Sequence, residues 1–158
     1  AEPLDWVCEV LDDLCKDGFD RVLIHNPDAV GMWLYQAYPD AFEPVLKHTQ
    51  LTVPFCSVLP SVTPVCFGTM YTGAEPAVHG IQEYAKPVIQ IDTFFDAVLR
   101  AGKKLALVAP PTCSMSNIFL GRDIQYFRRF LLRLRQGGCG AYPCRGSCLY
   151  VLAAQAVW

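Results

Sequence analysis

Apolar and polar positions recur along the chain with two different periods, and the switches between them predict its elements. Over residues 3–17, Leu4, Val7, Cys8, Leu11, Leu14 and Cys15 return at spacings of three and four, which is one face of a helix. Asp5, Glu9, Asp12 and Asp13 fall off that face, and acids in the early turns suit the positive end of the helix dipole. Gly18 is the expected stop. Arg21–His25 is a short apolar run of the kind found in buried parallel strands. Asn26-Pro27-Asp28 ends it, and Ala29 to Tyr38 returns to helical spacing. A further helix is predicted from about Pro39 to His48, and Val53–Leu59 reads as a second strand. Pro54 cannot donate to a ladder, so that strand belongs at a sheet edge or starts irregularly. The next helix runs from near Thr63 to about Tyr71 and ends at Gly73. Another runs from Thr93 to Ala101, with Thr93 and Asp96 at capping-box spacing. Gly102 stops it, and Lys103–Ala109 is the third strand. Short strands alternating with helices predict an α/β fold, a mostly parallel sheet flanked by helices.

Composition supports a folded chain. At 158 residues it has room for one domain, and with 53% hydrophobic and 18% charged residues it can bury a core. A net charge of −2 gives the whole chain no electrostatic reason to bind nucleic acid or anionic membrane. No stretch reaches the roughly 20 apolar residues of a membrane span. The first residues lack the basic-then-apolar layout of a secretory signal, and they also lack Met, so residue 1 need not be the natural start. The first five of eight cysteines, Cys8, Cys15, Cys56, Cys66 and Cys113, sit in apolar segments, where Cys acts as a small hydrophobe. Reduced thiols and a cytoplasmic location follow as expectations.

Charge also marks a boundary. Residues 127–158 hold five arginines (Arg128, Arg129, Arg133, Arg135, Arg145) and no Asp, Glu or Lys. Subtracting that +5 from −2 leaves −7 on residues 1–126. The expected organisation is an α/β body over 1–126 and an atypical, poorly packed tail over 127–158. Either the tail is a basic terminal extension, or the ancestral coding frame was lost near Phe127. Within it, Cys139, Cys144 and Cys148 lack the C-x-x-C pairing and nearby His of a zinc site. The apolar end, Leu149 to Trp158, is too short to cross a bilayer and is a candidate partner surface.

The chemistry concentrates in residues 60–81, PSVTPVCFGTMYTGAEPAVHGI. Thr63 suits a helix N-cap and Pro64 the first helical position. The same geometry offers unpaired amides and partial positive charge, which attract phosphate and favour an alkoxide. A cap and a nucleophile are therefore both open for Thr63 on spacing alone. Asp28, at the end of the first strand, is likewise either a helix cap or a ligand beyond a strand's carboxyl end. Cys66, one turn beyond Thr63, reads as core, and Arg122 with Asp123 reads as a solvated or helix-end pair.

The segment resembles the nucleophile region of the alkaline phosphatase superfamily, in particular its nucleotide pyrophosphatase/phosphodiesterase branch. Thr63, Thr72-Gly73, Pro76 and His79-Gly80-Ile81 stand in that branch's order and spacing. Val22 to Asp28 resembles the superfamily's opening strand with its metal-binding Asp, and the likeness spans roughly residues 20–127. It implies Thr63 as nucleophile and metal ligand, Asp28 as metal ligand, and two divalent ions, usually zinc. Superfamily members that use Ser make Ser61 the second choice. The branch's phosphate-binding Asn falls at Tyr84, whose phenol offers one donor. His79 is not a metal ligand in the family and reads as structural. The substrate implied is a phosphate-ester small molecule. The remaining Asp and His ligands of the family belong to its C-terminal half, and no Asp, Glu or His follows Asp123 here. The chain is thus expected to be a truncated hydrolase with an incomplete site. The competing expectation is a non-catalytic module that associates through an exposed sheet edge or its tail.

Overall fold

The computed structural model describes residues 5–19, 21–127 and 148–152, with the last segment and residues 126–127 described by backbone alone. They fall into two compact units. One holds the described residues up to Cys56 together with 148–152, and the other runs from Ser57 to Phe127.

In the first unit, α1 spans Asp5–Cys15, and Gly18 ends it at φ +69° with its amide bonded to the Cys15 carbonyl at 2.8 Å. Strand β1, Arg21–His25, follows where the apolar run places it. Helices α2 (Met32–Ala37) and α3 (Pro39–Leu46) are joined at Tyr38, and Tyr35 meets Phe42 edge-to-face at 5.5 Å between centroids. Strand β1 pairs in parallel with β4, Cys148–Leu152, in the register Arg21↔Cys148 to His25↔Leu152. Five residues of the tail's backbone therefore join this unit, while Cys139, Cys144, the five tail arginines and Val157–Trp158 lie outside the described residues. The burial expected of β1 is not found. Val22 and Leu23 are 54% and 55% exposed, and only Ile24 is half-buried. Cys8 and Cys56 are also exposed rather than acting as core.

The second unit contains the core. Val53–Leu59 forms no strand, contrary to the sequence expectation. Pro54 and Pro60 have no N–H to give a ladder, and the segment reaches the next helix through a turn in which the Val62 amide bonds the Pro60 carbonyl at 2.8 Å. Helix α4, Thr63–Thr72, is apolar nearly all round, and Pro64, Val65, Cys66, Phe67, Gly68 and Tyr71 are buried. Such a helix is stable only in the middle of a core. Helices α5 (Pro76–His79), α6 (Phe94–Arg100) and α7 (Met115–Ile118) belong to the same unit. The third predicted strand is shorter than expected, with β2 covering Ala106–Val108. It pairs in parallel with β3, Gln125–Phe127, and residues 109–124 with α7 provide the crossover that a parallel pair needs. Among the described residues the strands thus form two separate parallel pairs. No helix among them is long and apolar enough to cross a membrane.

An aromatic cluster holds the second unit together. Tyr71 stacks on Phe95 at 4.7 Å, Phe119 meets Phe95 edge-on at 4.8 Å, and Tyr71 meets Phe119 edge-on at 5.4 Å. Each such pair contributes about 0.5–1.5 kcal/mol beyond the area it buries. The capping box of α6 is present as its spacing predicts. The Thr93 hydroxyl accepts from the Asp96 amide at 3.3 Å, and Asp96 Oδ2 accepts from the Thr93 amide at 2.8 Å. Arg122 completes this arrangement, and its partner is Asp96 rather than Asp123. Its Nε lies 3.0 and 2.9 Å from the two Asp96 oxygens, and its Nη2 donates to the Ile89 and Ile91 carbonyls at 3.2 and 3.0 Å. One guanidinium therefore ties the 89–91 loop to the start of α6.

Candidate functional site

Asp28 lies three residues beyond the end of β1, on the carboxyl side of the strand as expected. It does not lead directly into a helix. Ala29 takes a left-handed φ of 56°, which breaks helical continuity, and α2 starts only at Met32 with Gly31 as its N-cap. The Asp28 carboxylate is exposed, and its Oδ1 accepts from the Ala29 amide at 3.1 Å. Asp28 is thus not a cap of α2.

Thr63 opens α4 but is not its N-cap. Val62 holds that place with extended angles (φ −121°, ψ 148°), so Thr63 is the first helical residue and Pro64 the second. Nor does a strand precede it, so the strand–turn–helix expected around Thr63 reduces to an irregular segment, a turn and a helix. Thr63 is half-buried at the entry to a helix whose next five residues are buried. Its backbone belongs to the first turn, where amides have no intrahelical acceptor and the dipole is positive. Ser61, the second choice, is half-buried with its hydroxyl 2.5 Å from that of Ser57. Asp28 belongs to the first unit, and Thr63, Ser61 and Tyr84 belong to the second.

The remaining landmarks are built into local structure. The Thr72 hydroxyl donates to the Gly68 carbonyl at 2.7 Å and accepts from the Ala74 amide at 3.0 Å. Gly73 closes α4 at φ +70°, with its amide on the Thr69 carbonyl at 2.8 Å. Thr72-Gly73 is therefore a C-terminal cap, and glycine is required by the positive φ. Pro76 starts α5, and Gly80 ends it at φ +82°.

His79 is buried at 5% exposure and is structural, as expected. Its Nε2 lies 3.1 Å from the Thr69 hydroxyl, and the Ile81 amide donates to its Nδ1 at 3.3 Å. An amide can only donate, so Nδ1 carries no proton, and the neutral ring bears its hydrogen on Nε2, facing Thr69. Burial, the larger influence, lowers the imidazole pKa below its ordinary 6.5, while the residue's own backbone acts to raise it. The ring lies against Gly68. A Cβ there would fall 2.5 Å from His79 Cε1, 2.7 Å from Nδ1 and 2.9 Å from Nε2. The sequence reading passed over Gly68 and Thr69. A glycine inside an otherwise sound helical pattern was the available signal, because it marks a close approach.

Tyr84, at the position expected to recognise phosphate, is 67% exposed on the loop after Ile81. Lys86 Nζ sits 5.5 Å from its ring centroid and donates to the Thr112 carbonyl at 2.6 Å. The cation thus lies over the ring within cation–π range. Next to it, Gly80, Ile81, Gln82, Glu83, Ala85 and Pro87 line a shallow, open depression.

Among the described residues no three His, Cys, Asp or Glu side chains converge to hold a metal ion. Asp28 and Thr63 are one oxygen-bearing side chain in each unit, fewer than the roughly four ligands a single zinc ion takes. The residues described do not by themselves fit a two-zinc centre. The chain matches no protein-family model, no curated protein and no solved structure.

Proposed function

We propose that the chain is the nucleophile-bearing part of a phosphate-ester hydrolase of the alkaline phosphatase type, with Thr63 as the attacking residue. One observation carries this reading. The landmarks Thr63, Thr72-Gly73, Pro76 and His79-Gly80-Ile81 fall at the start of α4, its end, the start of α5 and a turn bonded back onto α4 through His79 and Thr69. The spacing on which the resemblance rests is thus matched by a continuous local structure, with the hydroxyl-bearing residue in the first turn.

The chemistry assigned to this chain's own residues is limited to what that turn supplies. The first-turn amides and the helix dipole attract the phosphoryl oxygens. The Thr63 Oγ1 attacks phosphorus, the bond to the leaving alcohol breaks, and the hydroxyl proton passes to the departing oxygen, directly or through water. Water then hydrolyses the threonine ester and regenerates Thr63. Tyr84 donates to a phosphoryl oxygen, with Lys86 adding positive charge beside it. The resemblance brings with it dependence on two divalent ions, zinc, with Asp28 and Thr63 among the ligands. The described residues do not complete such a centre.

A second reading, a non-catalytic interaction module, is favoured by the first unit. Among residues 5–19 and 21–56 only Gly31 is buried, and Val22, Leu23 and Trp33 are each more than half exposed. Zinc titration with p-nitrophenyl phosphate and bis-p-nitrophenyl phosphate separates the two. The hydrolase reading expects zinc-dependent turnover that Thr63→Ala abolishes. Turnover that survives the substitution removes Thr63, and absence of both zinc binding and turnover leaves the module.

A further inference from the structure

We propose that His79 is a pH-gated latch, whose neutral ring ties the Gly80–Ile81 turn to α4 and whose protonation releases it. The proposal stands independently of any catalytic role for Thr63.

The geometry fixes the ring's state. On one side Nε2 faces the Thr69 hydroxyl at 3.1 Å, and on the other Nδ1 takes the Ile81 amide at 3.3 Å. One imidazole thus joins Thr69 to Ile81, twelve residues apart in sequence, and it does so only when Nδ1 has a free lone pair. A proton on Nδ1 sets two N–H groups against each other and places a positive charge in a site that is 5% exposed. The ring has nowhere to retreat on the α4 side, because Gly68 already lies at the limit of approach.

The groups bonded to the ring or packed against it are neutral. Helix α4 contributes Gly68 and the Thr69 hydroxyl, and the turn contributes the Ile81 amide. Glu75 and Glu83, the nearest acids in sequence on either side, do not act on its titration, which burial and its own backbone alone shift. Among the described residues no carboxylate pairs with the ring, so protonation favours its release.

The sign follows from linkage. The folded ring binds its proton less readily than the ordinary 6.5 of a released one, so the latched state is fully favoured above 6.5. It weakens as pH falls from 6.5 and reaches its minimum below the folded value. Over that window the open fraction rises about tenfold per pH unit, then levels.

The test uses the unsubstituted full chain. Amide hydrogen exchange at Ile81, corrected for intrinsic rates, is followed from pH 8 to pH 4 alongside His79 ring signals by NMR. The Ile89 amide, bonded to the Ile118 carbonyl at 2.8 Å, serves as the reference. We expect the neutral ring to be the Nε2–H tautomer. We also expect Ile81 protection to fall about tenfold per pH unit below 6.5 and then level, while Ile89 protection holds. Ile81 protection that stays flat as His79 titrates overturns the latch, as does an Nδ1–H tautomer. Joint loss of protection at Ile81 and Ile89 makes the event global unfolding and overturns it equally.

Discussion

Gly68→Ala should destabilise the second unit, although the same change on an exposed helix face would stabilise it. In an open helix, alanine is favoured over glycine by about 1 kcal/mol. Here the added methyl falls 2.5 to 2.9 Å from three atoms of the His79 ring, closer than non-bonded carbon ever sits. A flexible side chain would swing away at little cost. This ring is buried and bonded at both nitrogens, so moving it breaks the contacts to Thr69 and Ile81, each worth about 1 kcal/mol. Keeping the ring in place instead forces overpacking, which costs about 1–3 kcal/mol. Either response offsets the gain in helix propensity, and the net loss should be about 1–2 kcal/mol. For a unit of this size that lowers Tm by about 5–15 °C. Near-UV circular dichroism, which follows the packing of Tyr71 in the aromatic cluster, is a suitable probe for thermal and urea melts. A Gly68→Ala chain as stable as the original, or more stable by about 1 kcal/mol, would refute the close approach of His79 to α4.

Other perturbations test the rest of the core. Desolvation pushes the Asp96 carboxyl up, but the hydrogen bonds from Thr93 and Arg122 outweigh it and hold its pKa below the ordinary 3.8. The sign of a depressed carboxyl is stability that is full above 3.8 and lost as pH falls through the folded value. Acid titration of the melting midpoint should show that loss, and Asp96→Asn should flatten it. The substitution should also cost about 2 kcal/mol at neutral pH, because it leaves an Arg122 side chain that is only 10% exposed without its counter-charge. An unchanged acid profile in Asp96→Asn would show that another carboxylate controls it. Phe119 is fully buried between Tyr71 and Phe95, so Phe119→Ala should cost about 3–5 kcal/mol and remove the cooperative melt of the second unit.

How much of this was legible depended on the range of each signal. Local chemistry read well. Gly18 and Gly73 stop their helices at positive φ, and Thr93 with Asp96 closes the capping box, because each device lies within a few residues of its partner. Strand identity read less well. Arg21–His25 is a strand, but the equally apolar Val53–Leu59 is not, since an apolar run does not reveal whether its N–H groups find a ladder. Burial of β1 misread for a related reason. Exposure of Val22 and Leu23 depends on what else packs there, which period alone does not encode. The site was legible only in part. The helix at Thr63 follows from Thr-Pro chemistry, though the cap falls one residue earlier, at Val62. Contacts across longer separations left no sequence trace. Arg122 reaches back 26 residues to Asp96, and the expected Arg122–Asp123 pair rested on adjacency alone. His79 reaches Thr69 through a gap that only Gly68 leaves open.

Covalent trapping addresses the central claim most directly. The chain is incubated with zinc and p-nitrophenyl phosphate, quenched in acid, digested and analysed by mass spectrometry. A Thr63 nucleophile predicts a phosphoryl group on the peptide carrying Thr63, mapped to that residue and missing from Thr63→Ala. A phosphoryl group on Ser61 instead, or phosphate release that continues undiminished in Thr63→Ala, would contradict it.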